Sequence, residues 1–205
     1  MRLHVVASLA GFFRLVAGYW IIACVVACPL FANPAREGAY GAEAVRAVML
    51  FNFVRFTDWP GSAMAKDDPF VIGVAGDRTL EDELFKLAER QTIRDRRVRV
   101  VRVNNLRSLA GCHALYVGPA VRLDEAGAPG ADEFLREIGN QPVLTVSDSP
   151  TFLAQGGIIN VYVGDEGKLR FEIAPKHAAD AGLVLSSRLL ALARIVDVPT
   201  SAPTP

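Results

Sequence analysis

The chain has 205 residues, of which 51% are hydrophobic, and its 22 basic and 22 acidic residues give a formal net charge of zero. That length supports one domain with a sizeable core. The balanced charge gives no electrostatic case for a nucleic-acid partner or a strongly charged substrate.

Residues 1–32 contain no acidic residue, two arginines (Arg2 and Arg14) and two of the three cysteines. A positive start, an apolar run over 15–32 and a small-residue exit at Leu30-Phe31-Ala32 are the anatomy of a secretory signal peptide, with cleavage expected after Ala32. Two alternatives stay open. The run approaches the roughly 20 residues of a membrane-spanning helix and so could serve as an uncleaved anchor. The strings ending at Cys24 and Cys28 also resemble bacterial lipobox sequences, and a lipidated cysteine would tether the protein to a membrane.

Residues 42–56 are predicted helical. Their centre, Ala47-Val48-Met49-Leu50-Phe51, is apolar without a break, as in a helix buried on several sides or covered by a partner. Arg46, Asn52 and Arg55 are its polar exceptions. Thr57-Asp58-Trp59-Pro60 ends it, because proline disfavours helical backbone at the preceding residue. Residues 70–76 form a short apolar strand of the type covered on both faces. Thr79, with Asp82 three positions on, predicts a capping box that opens a helix to about Arg90.

Further strands are predicted over 98–103, 114–117 and 142–146, with a helix over 131–138. Ser149-Pro150 is expected to start a brief helix, stopped by Gly156-Gly157. Residues 158–163 and 169–174 read as a hairpin through Gly164-Asp165-Glu166-Gly167. On its second strand Leu169, Phe171 and Ile173 share one face, while Arg170 and Glu172 share the other. A last helix is expected over 178–195, where Leu183, Leu190, Ala193 and Ile195 fall near helical spacing, and residues 197–205 form a flexible tail. The order predicts a three-layer α/β sandwich over 41–196, with a mostly parallel central sheet and an antiparallel C-terminal hairpin.

Chemical motifs are sparse. Gly73 and Gly76 at a strand end lack the third glycine of a dinucleotide fingerprint. Ser147 and Ser149 lie outside a Gly-x-Ser-x-Gly elbow, and His113 and His177 have no acids at ligand spacing. No catalytic, cofactor-binding or metal-binding residue is therefore assigned, and no cofactor is expected. Cys112 is expected to be a free thiol acting as a small buried hydrophobe, with an intermolecular bridge or a redox-sensing role as the other reading. Arg94, Arg96, Arg97, Arg99, Arg102 and Arg107 are read as the solvated guard of a strand edge, with an acidic partner or lipid headgroups as the alternative. Asp148 falls where open α/β sheets bind ligands, and helix capping would explain it equally well.

Several segments, taken in order, resemble one family. They are Ala44 to Pro60 with its Trp59-Pro60 exit, Gly111-Cys112-His113-Ala114-Leu115-Tyr116-Val117, Leu144-Thr145-Val146-Ser147-Asp148-Ser149-Pro150, Arg170-Phe171-Glu172-Ile173, and Ala181 to Ala193. Together, over about 41–196, they resemble the YfiR family of small bacterial periplasmic proteins. The resemblance implies a non-enzymatic periplasmic regulator that binds the periplasmic sensor region of an inner-membrane diguanylate cyclase and represses it, lowering cyclic-di-GMP and biofilm formation. It also implies an OmpA-like outer-membrane lipoprotein as a second partner, and leaves a homodimer open.

Two positions depart from the family pattern. Relatives often carry a first-strand cysteine that pairs with the one in Gly-Cys-His, and here the matching position is Gly73. Ala174 stands where asparagine commonly follows Phe-Glu-Ile. The candidate partner surface is Arg55 and Trp59 with Arg170 and Glu172. Two other functions stay open, a small-ligand-binding module using the crevice near Gly76, Gly118 and Asp148, and a hydrolase depending on Asp148 or His177.

Overall fold

The computed structural model describes residues 34–64, 68–118 and 129–198. The leader, with Cys24 and Cys28, and residues 199–205 of the tail lie outside the described residues. The chain divides into two compact units, 1–38 and 39–205; the elements that follow belong to the second, apart from the first residues of the opening helix.

That helix, α1 (Pro34–Arg55), begins eight residues before the predicted start at position 42. The earlier residues include Gly38 and Gly41 and carry no apolar stripe, so periodicity does not register them. Ala47, Leu50, Phe51 and Val54 are buried at the i, i+3, i+4, i+7 spacing of a single helix face. Val45 and Val48 are about half exposed, so the helix is not covered all round within this chain. Its end is fixed by Thr57, whose wholly buried hydroxyl donates to the Phe53 carbonyl at 2.7 Å.

The main sheet comprises β2 (Phe70–Ala75), β3 (Val98–Arg102), β4 (Ala114–Val117), β5 (Leu144–Ser147), β6 (Ile159–Val163), β7 (Leu169–Ile173) and β9 (Arg194–Ile195). Its order is β3-β2-β4-β5-β6-β7-β9. The first five are mutually parallel, β7 returns antiparallel on β6, and β9 runs parallel to β7. A separate antiparallel pair joins β1 (Thr57–Asp58) to β8 (Val184–Leu185). Alternate residues of β2 enter different cores. Phe70, Ile72 and Val74 pack with α1 and with Leu80 and Leu84 of α2 (Arg78–Ala88). Val71 and Ala75 pack with Phe134 and Ile138 of α3 (Ala131–Ile138) and with Phe152. The predicted three-layer α/β sandwich and its C-terminal hairpin are therefore present.

Four local expectations are corrected. First, α2 is capped by Asp77, whose carboxylate accepts from the Leu80 amide at 2.9 Å, and not by Thr79. The Ser/Thr pattern pointed two residues too far along the chain. Second, residues 150–156 form consecutive turns in place of a helix. The Phe152 carbonyl accepts from both Gln155 and Gly157, and Gly156 has φ +104. Third, no helix follows Asp148, so capping does not explain that residue.

Fourth, the single helix expected over 178–195 is four elements: α4 (Pro175–Asp180), β8, α5 (Ser187–Leu190) and β9. Gly182, at φ +70, closes α4 with bonds from its own amide to Ala179 and from the Leu183 amide to Ala178, a Schellman ending. Ser186 then caps α5 through its hydroxyl. Of the apolar residues that imitated helical spacing, Leu190 is helical in the short α5, while Leu183 and Ala193 lie in loops and Ile195 in β9.

Gly157 shows how tightly the second core closes. A Cβ there would lie 2.2 Å from the ring of Phe152, which has no exposed surface. Gly157→Ala is expected to destabilise the protein by about 3 kcal/mol, the upper end of overpacking costs, measured as a fall in the urea midpoint.

Candidate functional site

In an open α/β sheet, ligands bind outside the carboxyl ends of the strands, where the direction of strand addition reverses. Here β2 is followed by β3 on one side of it, and the chain then crosses back to place β4 on the other. The reversal lies between β2 and β4. Their carboxyl ends approach so closely that a Cβ on Gly118 would stand 3.0 Å from the Gly76 carbonyl oxygen. Gly76 turns the chain at φ +73, which delivers Asp77 to the crevice.

Charged side chains from three segments, α1, the turn after β2 and the end of β5, converge there. Arg46, from the buried side of α1, donates to both carboxylate oxygens of Glu43, one helical turn earlier, at 2.7 Å. Its guanidinium also lies 3.6 Å from Asp77 and 3.7 Å from Asp148, just beyond β5. Each of the four side chains keeps only 15–19% of its surface exposed. Tyr116 of β4 is wholly buried, with its hydroxyl against Asp148, where its hydrogen bond helps to hold the Asp148 carboxyl down; among the described residues Nε of Arg46 has no hydrogen-bond partner.

The ionisation of the cluster follows from this geometry. Burial raises the Glu43 carboxyl above its ordinary range, with Arg46 opposing and Asp77 and Asp148 adding to the rise. Burial likewise raises Asp148, again opposed mainly by Arg46. The Tyr116 hydroxyl is pushed far up by burial, with Asp148 adding to the rise, so it stays protonated. One cation among three carboxylates leaves excess negative charge in a half-buried crevice.

The predicted partner-surface residues do not form one surface. Trp59 is half-buried at the amino end of the sheet, where its indole N–H donates to the His113 carbonyl at 3.2 Å and its ring meets Phe70 edge-on. Arg55 is exposed on α1, with Gln91 3.4 Å away. The Phe171 ring packs at a tilt against Phe53 of α1, so the alternation of β7 puts Arg170 and Glu172 on the other side of the sheet. Arg170 is exposed. Glu172 is buried, accepts from Asn160 at 3.1 Å and is paired with Arg194, which in turn sits over the Tyr162 ring.

Other expectations find their places. Cys112 is buried and free, with its thiol near the Ser108 carbonyl. The arginine-rich β3 is an edge strand, and Arg102 pairs with Glu81. His113 accepts from the Val71 amide at 3.1 Å and His177 bonds the Gly157 carbonyl at 2.8 Å, both as local ties. Among the described residues no group of His, Cys, Asp and Glu is placed to hold a metal ion.

Sequence reasoning singled out Asp148, Gly76 and Gly118 but missed Glu43, Asp77 and Tyr116. The available signal was Arg46, a cation inside an otherwise apolar helix face.

Fold and site together define a three-layer α/β domain whose candidate site is a charged crevice at the switch point. A family model described as YfiR/HmsC-like matches residues 43–194, and the chain belongs to that family. The family is generally regulatory and non-enzymatic, and is associated with periplasmic control of diguanylate cyclases. Comparison with curated proteins gives no match. Among solved structures, the chain is similar to an ABC domain in complex with L-Trp from Streptococcus pneumonia, at 11% identity and a TM-score of 0.46, covering 73% of this chain and 60% of that one. That likeness is too distant to bear on ligand or function.

Proposed function

We propose that the chain is exported to the periplasm, where it binds the periplasmic sensor region of an inner-membrane diguanylate cyclase and represses it. Cyclic-di-GMP then stays low, and biofilm formation with it. The observation that carries this reading is the family match over 43–194, which takes in the sheet and both of its cores. The acid-free leader with its small-residue exit supports export, and no helix of the described residues is long and apolar enough to cross a membrane.

Repression of this kind needs no bond chemistry. A protein that binds the inactive state of the cyclase more tightly shifts its population toward that state, and about 5.5 kcal/mol of differential affinity moves a two-state equilibrium from 1:99 to 99:1. An OmpA-like outer-membrane lipoprotein that sequesters the repressor would reverse the shift by mass action. Of the four surface candidates, Arg55 and Arg170 are exposed, whereas Trp59 is half-buried and Glu172 is buried.

Biolayer interferometry of the purified protein against the periplasmic region of a cyclase encoded beside its gene tests the reading. Saturable binding is expected, weakened at least tenfold by Arg170→Glu if the hairpin face is the contact. No binding to such a region overturns it.

A further inference from the structure

We propose that the outer edge of β3 is a docking site for an extended, acidic segment of a protein partner, which adds to the main sheet as a further strand. Three observations converge on that occupant.

The first is an unpaired backbone. Strand β3 ends the main sheet, with β2 on one side and, among the described residues, no strand on the other. The Arg97 carbonyl accepts from the Phe70 amide, and the Val103 amide donates to the Val74 carbonyl, each at 2.8 Å. Backbone groups alternate in direction along a strand, so Arg97, Arg99, Val101 and Val103 serve β2. The amides and carbonyls of Val98, Val100 and Arg102 therefore face outward. Nothing among the described residues bonds them from that side. Such a row is a template for an incoming extended chain. The opposite edge, β9, is only two residues long, and its Arg194 is committed to Glu172.

The second is charge. Residues 94–107 hold six arginines and one acid, Asp95, in a chain of zero net charge. Arg94 and Arg102 are engaged with Asp58 and Glu81. Arg97, Arg99 and Arg107 are exposed, and among the described residues none of them has an ion-pair partner. Pairing two β3 edges would bring these arginines together, so the charge guards against a second copy of this chain. The same field attracts carboxylates, so the edge selects its partner by sign.

The third is the difference between the two faces of β3. Val98 and Val100 pack against the first core and remain partly exposed. Arg97 and Arg99 alternate to the opposite face, where the charge of Arg99 reaches Cys112 of the second core. A strand laid on this edge would place apolar side chains beside the valines and carboxylates, at the intervening positions, beside the arginines. A segment alternating acidic and apolar residues satisfies both faces. A bilayer of anionic lipid would match the charge but leave the backbone edge and the valine face unused.

The test follows the fluorescence anisotropy of a labelled, acetylated and amidated peptide of alternating glutamate and valine, titrated with the purified full chain. Saturable binding is expected at low salt, weakened at least tenfold at high salt, with amide shifts at Val98, Val100 and Arg102. Replacing the peptide's glutamates by lysine is expected to abolish binding. The double variant Arg97→Glu with Arg99→Glu, at two exposed positions, is expected to weaken it at least tenfold. N-methylation of alternate peptide amides reads the backbone contact on the unaltered protein. Methylating one alternate set should abolish binding and methylating the other should leave it, because only one set faces β3. No saturable binding, binding of the lysine peptide, equal effects of the two methylated sets, or unchanged affinity in the double variant overturns the proposal. So does sedimentation of the chain with phosphatidylglycerol vesicles in the absence of peptide binding, which would assign the arginines to a membrane surface. The assay contains no cyclase, so its failure leaves the repressor reading untouched.

Discussion

Gly73→Cys is expected to form a disulfide with Cys112 and to become about 3–4 kcal/mol more stable than its own reduced form. A Cβ on Gly73 would lie 3.1 Å from Cys112 Sγ. An S–S bond of about 2.05 Å closed through an ordinary Cβ–S–S angle needs a separation of about 3 Å, so the required geometry is already present. The bridge would close a loop over residues 73–112, and constraining the unfolded chain over about 40 residues gives roughly 4 kcal/mol. Part of that is offset because the same Cβ stands 2.8 Å from a Val103 methyl, which must shift.

Gly73→Ala, with the crowding and no bridge, is expected to lose about 1–3 kcal/mol. Burial raises the Cys112 thiol, tempered by Arg99, so bond formation is slow without an added oxidant. For a domain of this size the oxidised and reduced forms of Gly73→Cys should differ in Tm by roughly 6–15 °C. Equal Tm values with the thiols shown by mass to be bridged would contradict the geometry. Position 73, which the resemblance matches to a first-strand cysteine, thus has bonding geometry to Cys112 in a chain that carries glycine there.

Arg46→Met is expected to cost about 2–3 kcal/mol at pH 7.5 and clearly less at pH 5, measured as urea midpoints. The side chain is partly exposed, so the cost is set below the roughly 3–5 kcal/mol of breaking a fully buried pair. The sign follows from the carboxyls of Glu43 and Asp148, both raised in the folded state. A group with a raised folded pKa binds its proton more tightly when folded. Its penalty is fully present above that folded pKa and is relieved as pH falls through it toward the unfolded value. Removing Arg46 removes the main opposing charge, raising both carboxyls further and widening that window upward. A cost independent of pH, or larger at pH 5, would contradict the ion-pair account of the crevice.

Local chemistry made much of the fold legible in the sequence. Strand β4 and helix α3 fall where their apolar run and their amphipathic pattern predict them. The hairpin of β6 and β7 is announced by the glycine-bounded turn from Gly164 to Gly167. The same reasoning failed where spacing had two readings. Leu183, Leu190 and Ile195 fit a helical stripe, yet Gly182 and Ser186 impose a stop and a new start, and β1 and β7 recruit the flanking residues as strand partners.

The candidate site was legible only in fragments, because its members are far apart in the chain. Arg46 was noted as an anomaly in an apolar helix and Asp148 as a strand-end acid. Nothing local joins them to each other, to Asp77 or to a tyrosine inside a fully buried strand. Glu172 misled for a related reason: period-two alternation assigns it to a polar face, but only the tertiary fold shows that Asn160 and Arg194 close over it.

We propose that this YfiR/HmsC-like chain restrains a diguanylate cyclase. Cellular cyclic-di-GMP, measured by mass spectrometry in a strain lacking the gene and in the same strain with the gene restored, tests it most directly. The account predicts a severalfold rise on deletion, reversed by the restored gene and absent when the partner cyclase is deleted as well. Cyclic-di-GMP unchanged by the deletion across several growth conditions would contradict it.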